Sequence, residues 1–241
     1  VYGMALADDA LYLVMDKGLQ VIDLATPDEP EVANFYPIIN PTIQSLWHIL
    51  INYPYVYLGD TSGNVWIINL SEPKPVIHLP SYTALGNVGA MALVDNYAYL
   101  PTQGLGVRIL EVAATGELTQ VGLYSTTETI YQIAVVHGYA YIAGSRGLAI
   151  VDVQEPSAPN LVHYHATAGV AYSVAIAGDY ALLAAGKAGL QVLDITNPAQ
   201  PVTVATYVTP DCARQVVSAN RLIYVTDRFG GLYIFTLITA P

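Results

Sequence analysis

Cysteine is nearly absent from this sequence, and Cys212 alone cannot form a disulfide within the chain. One cysteine fits the cytosol and equally fits bacterial secreted proteins that avoid cysteine. Basic residues are also scarce, because 8 Lys and Arg stand against 19 Asp and Glu and give a formal net charge of −11. Nucleic-acid binding needs a basic surface that displaces phosphate counterions, so no nucleic-acid partner is expected.

Long hydrophobic runs are missing as well, although 54% of the residues are hydrophobic. No run approaches the roughly 18 apolar residues that cross a bilayer, so membrane insertion is not expected. This hydrophobic fraction, together with only 11% charged residues, excludes a disordered chain. The apolar runs are short and interrupted by Gly, Pro, Asn and Asp, a pattern typical of buried strands. The chain starts at Val1 without Met or a signal-like segment, so we expect it to be part of a longer protein.

A repeat of about 42 residues organises the whole sequence. Each unit has an entry block with two short apolar segments around a turn such as Gly178-Asp179, then an anchor residue followed by two more apolar segments. We label these four predicted strands A, B, C and D. The six anchors are Gly18, Asn64, Gly106, Gly147, Gly189 and Gly231. The pattern predicts an all-β protein, a six-bladed β-propeller of four-stranded antiparallel blades that forms a single domain over residues 1–241.

Residues at the same position in successive repeat units, here called a column, give more detailed expectations. Asn64 replaces glycine, which suggests that the anchor adopts a left-handed backbone conformation. Strand A is apolar on both faces and should be innermost and almost completely buried, as at Ile133. The C–D turns should be closed by Asx-turns, with the side chains supplied by Asp23, Asn69, Asp152 and Asp194.

The sixth unit stops before its D strand, so the last blade should lack its outer strand. A sheet edge of unpaired N–H and C=O groups invites aggregation and is normally covered. We expect the native protein to supply a strand upstream of Val1 that reads like PVTVATY and pairs with Gly231–Leu237. Another domain or a symmetry mate could cover the edge instead.

The runs GLQVIDLATPDEP, GLAIVDVQEPSAP and GLQVLDITNPAQP, which start at Gly18, Gly147 and Gly189, resemble the LVIVD repeat. This is a bacterial and archaeal propeller motif found largely in secreted and cell-surface proteins. The third unit departs from it, with Glu111 and Gly116 where Asp and Pro are expected. The resemblance implies the fold and export from the cell, either to the surface and surroundings or to the periplasm. It carries no catalytic signature.

The candidate ligand site lies where the A strands begin. In propellers the B–C turns and D–A loops share the face at the channel mouth, where ligands usually dock. Aromatic rings suit sugars, cations or peptide side chains, and an arginine could hold an anion. Packing between blades is the alternative role for the rings. The predicted ligand-binding residues are Tyr2, Trp47, Tyr131, Tyr172 and Arg214.

Two further loop features carry less information. The D–A connection over residues 37–46 is longer than the others, and such insertions are functional in some proteins and neutral in others. The B–C turns hold a scatter of polar residues typical of solvated turns. These are Lys17, Asp60, Gln103, Arg146, Lys187, Asp227 and Arg228.

Three motifs that would indicate a specific chemistry are incomplete in this sequence. Asp60 opens a segment like a calcium loop, but Val65 and Ser71 stand where glycine and glutamate are required. His163 and His165 share a strand face without an identifiable third ligand for zinc. Cys212 has no evident base and is expected to be a buried or incidental cysteine. We therefore predict no catalytic residues, no metal and no cofactor.

Two function classes remain. The first is a non-catalytic binding or structural module of a secreted or cell-surface prokaryotic protein, with a protein or carbohydrate ligand at the channel mouth. The alternative is a propeller hydrolase or lyase at the same mouth. Its residues would be His48, Gln132, Asp211, Arg214 and Gln215. The scarcity of paired ionisable groups favours the binding module.

Overall fold

The structure is a computed structural model that describes residues 1–15, 18–38, 46–71, 77–83 and 88–237. The described residues contain strands and no helix. The strands form six antiparallel sheets, so the chain is a six-bladed β-propeller. Contacts divide it into two compact units, Val1–Val121 and Gly122–Pro241. The single-domain organisation over residues 1–241 stays a prediction.

The first unit holds the first three blades, each a sheet of four strands in which sequence neighbours pair. The strands are β1 (Gly3–Ala7), β2 (Ala10–Met15), β3 (Gly18–Asp23), β4 (Glu31–Pro37), β5 (Leu46–Asn52), β6 (Tyr55–Asp60), β7 (Asn64–Asn69), β8 (Ile77–Thr83), β9 (Ala92–Val94), β10 (Tyr97–Thr102), β11 (Gly106–Val112) and β12 (Leu118–Tyr124). The boundary between the units falls within β12.

The second unit holds two four-stranded blades and a last blade of three strands, as the sequence predicted. The strands are β13 (Ile130–Val136), β14 (Tyr139–Gly144), β15 (Gly147–Asp152), β16 (Asn160–Ala166), β17 (Ser173–Ala177), β18 (Tyr180–Ala184), β19 (Leu190–Asp194), β20 (Val202–Tyr207), β21 (Ala213–Ala219), β22 (Leu222–Asp227) and β23 (Gly231–Thr236).

The predicted turns form for the expected chemical reasons. Gly178, at φ +57°, opens the two-residue turn between β17 and β18. All four predicted C–D turns are Asx-turns, in which a side-chain oxygen accepts the backbone N–H two residues later. The acceptors are Asp23 (2.8 Å), Asn69 (2.9 Å), Asp152 (3.0 Å) and Asp194 (2.9 Å).

The prediction for Asn64 is wrong. Gly63, one residue earlier, takes the left-handed conformation at φ +90°, and Asn64 has a negative φ. Asn64 instead donates its backbone N–H and its side-chain amide to the Asp60 carboxylate, at 2.8 and 2.9 Å. The second unit of the repeat therefore uses a different turn, closed by a buried aspartate.

Apolar cores fill the space between neighbouring sheets within each unit, as between the fourth and fifth blades and between the fifth and sixth. The first strands of neighbouring blades contact each other: β1 with β5, β5 with β9, β13 with β17 and β17 with β21. This agrees with the inner position predicted for strand A. Ile133, Val174 and Val216 are buried in these strands as expected.

The expectation of nearly complete burial fails at most positions of strand A: many side chains, such as Ile176, are half-buried, and Val217 in β21 is 48% exposed. The largest departure is in the first blade. Met4 and Leu6 in β1 are each 67% exposed. Within the described residues of the first unit, the first blade packs against the second blade, on one side only. The strand A positions are apolar in each repeat unit, but the sequence of a strand does not show whether a neighbouring blade covers it.

Candidate functional site

Three of the five predicted ligand-binding residues form one continuous row in the second unit. The rings of Tyr131 and Tyr172 have centroids 5.1 Å apart and are tilted by 59°. The Cζ atom of Arg214 lies 4.1 Å from the centroid of the Tyr172 ring. This is cation–π geometry, with Tyr172 between the other two side chains. Tyr131 and Arg214 are exposed and Tyr172 is half-buried, so the row is open to solvent.

The other two predicted residues belong to the first unit. Tyr2 lies just before β1, is 43% exposed, and donates its backbone N–H to the carbonyl of Val14 at 2.9 Å. Trp47 lies in β5, but its side chain is outside the described residues. The unusual connection over residues 37–46 is also outside them from residue 39 to residue 45, as is Lys17.

Two of the three residues of the row, Tyr131 and Arg214, occupy β-bulges. In β13 the register passes from Ile130 to Gln132, so Tyr131 is the extra residue of a β-bulge. In β21 the register passes from Ala213 to Gln215, so Arg214 occupies the same place. Bulges redirect side chains and are frequent beside functional sites. The sequence placed these residues at strand entrances but gave no sign of the bulges.

Backbone contacts between the fifth and sixth blades fix the position of Arg214 beside Tyr172. Gly186 and Ala213 exchange two hydrogen bonds, with Gly186 donating at 3.2 Å and Ala213 donating at 2.9 Å. A Cβ on Gly186 would lie 3.3 Å from Cε2 of Tyr172, so glycine lets the B–C turn approach the ring. Deeper in the interface, the backbone N–H of Val216 donates to Oγ of Ser173 at 3.0 Å.

Asp227 holds the loop that leads to Arg214, a role that the sequence did not reveal. This buried carboxylate accepts the backbone N–H of Asp211 at 2.9 Å and that of Cys212. The backbone N–H of Arg228 donates to the carbonyl oxygen of Cys212 at 3.0 Å. Asp227 thus supports the entrance of β21, a structural role for a residue that looked like part of a solvated turn.

A second polar cluster involves Glu128, which sequence reasoning also missed. Oε1 of Glu128 accepts from Nη2 of Arg146 at 2.7 Å, and Oε2 accepts from the Tyr164 hydroxyl at 3.1 Å. Burial, with the added effect of Glu128, raises the pKa of Tyr164 to about 12. This cluster ties a D–A loop to a B–C turn and to strand β16.

The residues of the enzyme alternative belong to both units. His48 lies in the first unit, where burial lowers the pKa of its imidazole. In the second unit, Gln132 is half-buried and Gln215 is exposed. Within the part of the chain that the structure describes, His, Cys, Asp and Glu form no group suited to hold a metal. No helix in the described ranges is long and apolar enough to cross a membrane.

Comparisons with known proteins support the fold. Residues 131–167 and 168–209 match the family model described as LVIVD repeat. A crystal structure of a computationally designed protein, Ika8, superposes with a TM-score of 0.73 at 10% identity, covering 98% of this chain and 70% of that one. The crystal structure of BamB from Moraxella catarrhalis gives a TM-score of 0.64 at 12% identity, covering 97% and 71%. The search of curated proteins finds no match. The chain is therefore a six-bladed β-propeller that carries LVIVD repeats over residues 131–209.

Proposed function

We propose that this protein is a non-catalytic binding module whose ligand site is the row formed by Tyr131, Tyr172 and Arg214. The observation that supports it most is the exposed guanidinium of Arg214, which lies 4.1 Å from the centroid of the Tyr172 ring. A guanidinium is a fixed cation and a hydrogen-bond donor, suited to binding an anion rather than to moving protons.

The ligand chemistry follows from the row. Arg214 would pair with a carboxylate or another anionic group of a protein or carbohydrate ligand. The faces of Tyr131 and Tyr172 would stack on a sugar ring or on an apolar side chain next to that group. The reciprocal backbone bonds at Gly186 and Ala213 hold the site in place before the ligand arrives, which lowers the entropy cost of binding.

We place the protein on the surface of a prokaryotic cell, outside it, or in the periplasm. The LVIVD repeats over residues 131–209 and the formal net charge of −11 support this placement. Detection of the native protein in the secreted, periplasmic or surface fraction tests it, and recovery from the cytosol alone would refute it.

A glycan and peptide array screened with the purified protein tests the binding site. For any ligand found, Arg214→Gln and Tyr172→Ala should each weaken binding about tenfold or more, because both remove a central contact. Arg214→Lys should recover only part of the affinity, since lysine lacks the planar fork.

Arg221→Gln is the matched control, because Arg221 is an exposed arginine at the far end of the same β21–β22 hairpin. Its affinity should equal that of the unmodified protein. A ligand whose affinity is unaffected by Arg214→Gln and Tyr172→Ala would show that the site is elsewhere.

A further inference from the structure

Charged side chains are divided unevenly between the two ends of the sheets in the second unit. Strands β13, β17 and β21 begin at one end, here called the entry end, and the B–C turns lie at the same end because the sheets are antiparallel. The whole chain has only 8 Lys and Arg. The second unit has five of them, and four lie at the entry end: Arg146, Lys187, Arg214 and Arg228.

The entry end presents a cationic surface, because its basic residues are more exposed than its acidic ones. All four basic residues are exposed. Of the three acidic residues, Asp227 is buried, and Glu128 and Asp211 are half-buried. The ion pair with Glu128 neutralises Arg146, and no ion pair among the described residues involves the other three cations. The opposite end has one basic residue and four acidic ones, which are Arg221, Asp152, Glu155, Asp179 and Asp194.

The B–C turn of the fifth blade places Lys187 near Arg214. Gly186 forms an antiparallel bridge with Ala213, in which the two backbone N–H groups donate at 3.2 and 2.9 Å. Lys187 and Arg214 each directly follow one member of this bridge. Residues paired in such a bridge have Cα atoms about 4.5–5.5 Å apart, so the two cationic side chains start from neighbouring segments of backbone.

The B–C turn of the sixth blade brings a second arginine to the same segment. The backbone N–H of Arg228 donates at 3.0 Å to the carbonyl oxygen of Cys212, two residues before Arg214. The carboxylate of the preceding Asp227 accepts the backbone N–H of Asp211 at 2.9 Å. These hydrogen bonds hold the turn against the segment over residues 211–214, so the backbones that carry the two arginines are directly bonded to each other.

Arg228 stacks on an aromatic ring that lies outside the core. Its Cζ atom is 4.8 Å from the centroid of the Phe229 ring, and Phe229 is 81% exposed. The same combination of an arginine with an aromatic ring occurs at Tyr172 and Arg214, at 4.1 Å. A phenylalanine this exposed contributes little to folding. Arginine and aromatic side chains are enriched in protein–protein interfaces and among the residues that dominate their affinity.

We propose that Tyr172, Lys187, Arg214, Arg228 and Phe229 form one docking surface for an acidic, extended segment of a partner protein. This inference rests on the proposed function, because it identifies the partner of the same site and enlarges the site by two B–C turns. Carboxylates of the segment pair with Arg214 and Arg228, and a neighbouring apolar side chain packs on the Phe229 ring. Because the opposite end of the sheets is acidic, the charge distribution also orients the segment toward the entry end.

The hydrogen-bonding groups at the entry end favour a protein segment over an acidic polysaccharide. A sugar ring carries several hydroxyl groups, which donate as well as accept hydrogen bonds. The carboxylates that would accept from them are buried or half-buried. Glu128 already accepts from Arg146 and Tyr164, and Asp227 already accepts two backbone N–H groups. The docking surface instead exposes cations and aromatic rings, which suit carboxylates and apolar side chains.

A peptide array screened with the purified whole chain tests the proposal. Each acidic peptide, of about ten residues, alternates Asp or Glu with Leu, Val or Ser, and its matched peptide has Asn or Gln at the acidic positions. Uronic-acid oligosaccharides form a third set of probes. We expect the acidic peptides to bind and the amide peptides and oligosaccharides not to bind. The affinity should fall as salt is added, because the charges on the docking surface are exposed.

Variants in the two B–C turns measure what these turns add. For the acidic peptide that binds most tightly, Arg228→Gln and Phe229→Ala should each weaken binding about fivefold or more in fluorescence anisotropy. Lys187→Gln should weaken it about twofold, since an exposed lysine pairs weakly. Arg221→Gln and Val202→Ala change an exposed arginine and an exposed apolar residue at the opposite end, so they are the controls and should leave the affinity unchanged. Circular dichroism checks that each variant folds.

The possible results separate this inference from the proposed function. The inference would be overturned if no acidic peptide binds, if the amide peptides bind equally well, or if only the oligosaccharides bind. It would also be overturned, with the proposed function intact, if Arg214→Gln and Tyr172→Ala weaken binding whereas Arg228→Gln and Phe229→Ala do not. Binding of acidic peptides that Arg214→Gln and Tyr172→Ala leave unchanged would overturn both, because the proposed site itself would be wrong.

Discussion

The fifth and sixth blades are neighbours built from the same repeat, yet equivalent side chains differ greatly in exposure. Leu190 and Val192 in β19 are 3% and 7% exposed. Their equivalents in β23, Leu232 and Ile234, are each 57% exposed. Within the described residues of the second unit, the fifth blade packs against blades on both faces and the sixth against the fifth alone. The repeat thus determines the structure of a single blade. How much a given position contributes to stability depends on which neighbouring blades pack against it.

The largest difference is expected at the anchor glycines. Gly189→Ala would place a Cβ 2.0 Å from the carbonyl oxygen of Tyr207 at a φ of +77°. Either β20 must leave the sheet or the backbone must move, so we expect a loss of about 3–5 kcal/mol in the free energy of unfolding. Urea denaturation followed by circular dichroism measures it.

Gly231→Ala is the matched control in the sixth blade, where the Cβ would meet open space. It should cost about 1–2 kcal/mol, since only the unfavourable φ remains. Equal losses for the two variants would mean that β20 does not constrain Gly189, and the comparison of the blades would fail.

A smaller difference is expected for the apolar residue that follows each anchor. Leu190→Ala removes a buried side chain from the core and should cost about 2–5 kcal/mol. Leu232→Ala removes a mostly exposed side chain and should cost less than about 1 kcal/mol. The same urea experiment compares them, and a cost at Leu232 as large as that at Leu190 would show that its face is covered in solution.

The sequence predicted the features that each blade builds from its own residues. The turns closed by Asp23, Asn69, Asp152 and Asp194, the strand order and the three-stranded last blade depend on local chemistry and on the length of the repeat. Burial at Met4 and Leu6 was predicted wrongly because a strand's sequence does not state what packs against it. The conformation of Asn64 was predicted wrongly because Gly63 could take the left-handed position instead.

The candidate site was only partly predictable for a related reason. Repeat columns identified Tyr131, Tyr172 and Arg214 as residues at strand entrances, and the structure brings the three together. The bulges at Tyr131 and Arg214 and the support from Asp227 involve chain segments whose pairing does not follow from periodicity. The position of a residue in the repeat indicates where it lies along its strand. The direction of its side chain depends on the local pairing register between strands.

The smallest effect concerns the C–D turn, where the fifth blade has Asp194 and the sixth has Thr236 in the same column. The Asp194 carboxylate accepts the backbone N–H of Thr196 at 2.9 Å and its hydroxyl at 2.7 Å. These two bonds, the backbone N–H first, lower the pKa of Asp194 below its ordinary value. The stabilisation is therefore present above the unfolded-state pKa and is lost as pH falls through the lower, folded-state pKa.

Asp194→Asn should keep the hydrogen bonds that close the turn and remove the carboxylate that titrates. Asn69 in the second blade accepts the equivalent two bonds from Ser71, at 2.9 and 2.7 Å, so asparagine can close this turn. We expect the urea midpoint of the variant at pH 7 to match that of the unmodified protein. Below about pH 4 its midpoint should fall less steeply, because asparagine does not titrate. Thr196→Val, which removes only the hydroxyl donor, should give part of the same change through the same carboxylate. If the urea midpoint of Asp194→Asn falls with pH as steeply as that of the unmodified protein, the Asp194 carboxylate is no more stabilised in the folded protein than in the unfolded chain.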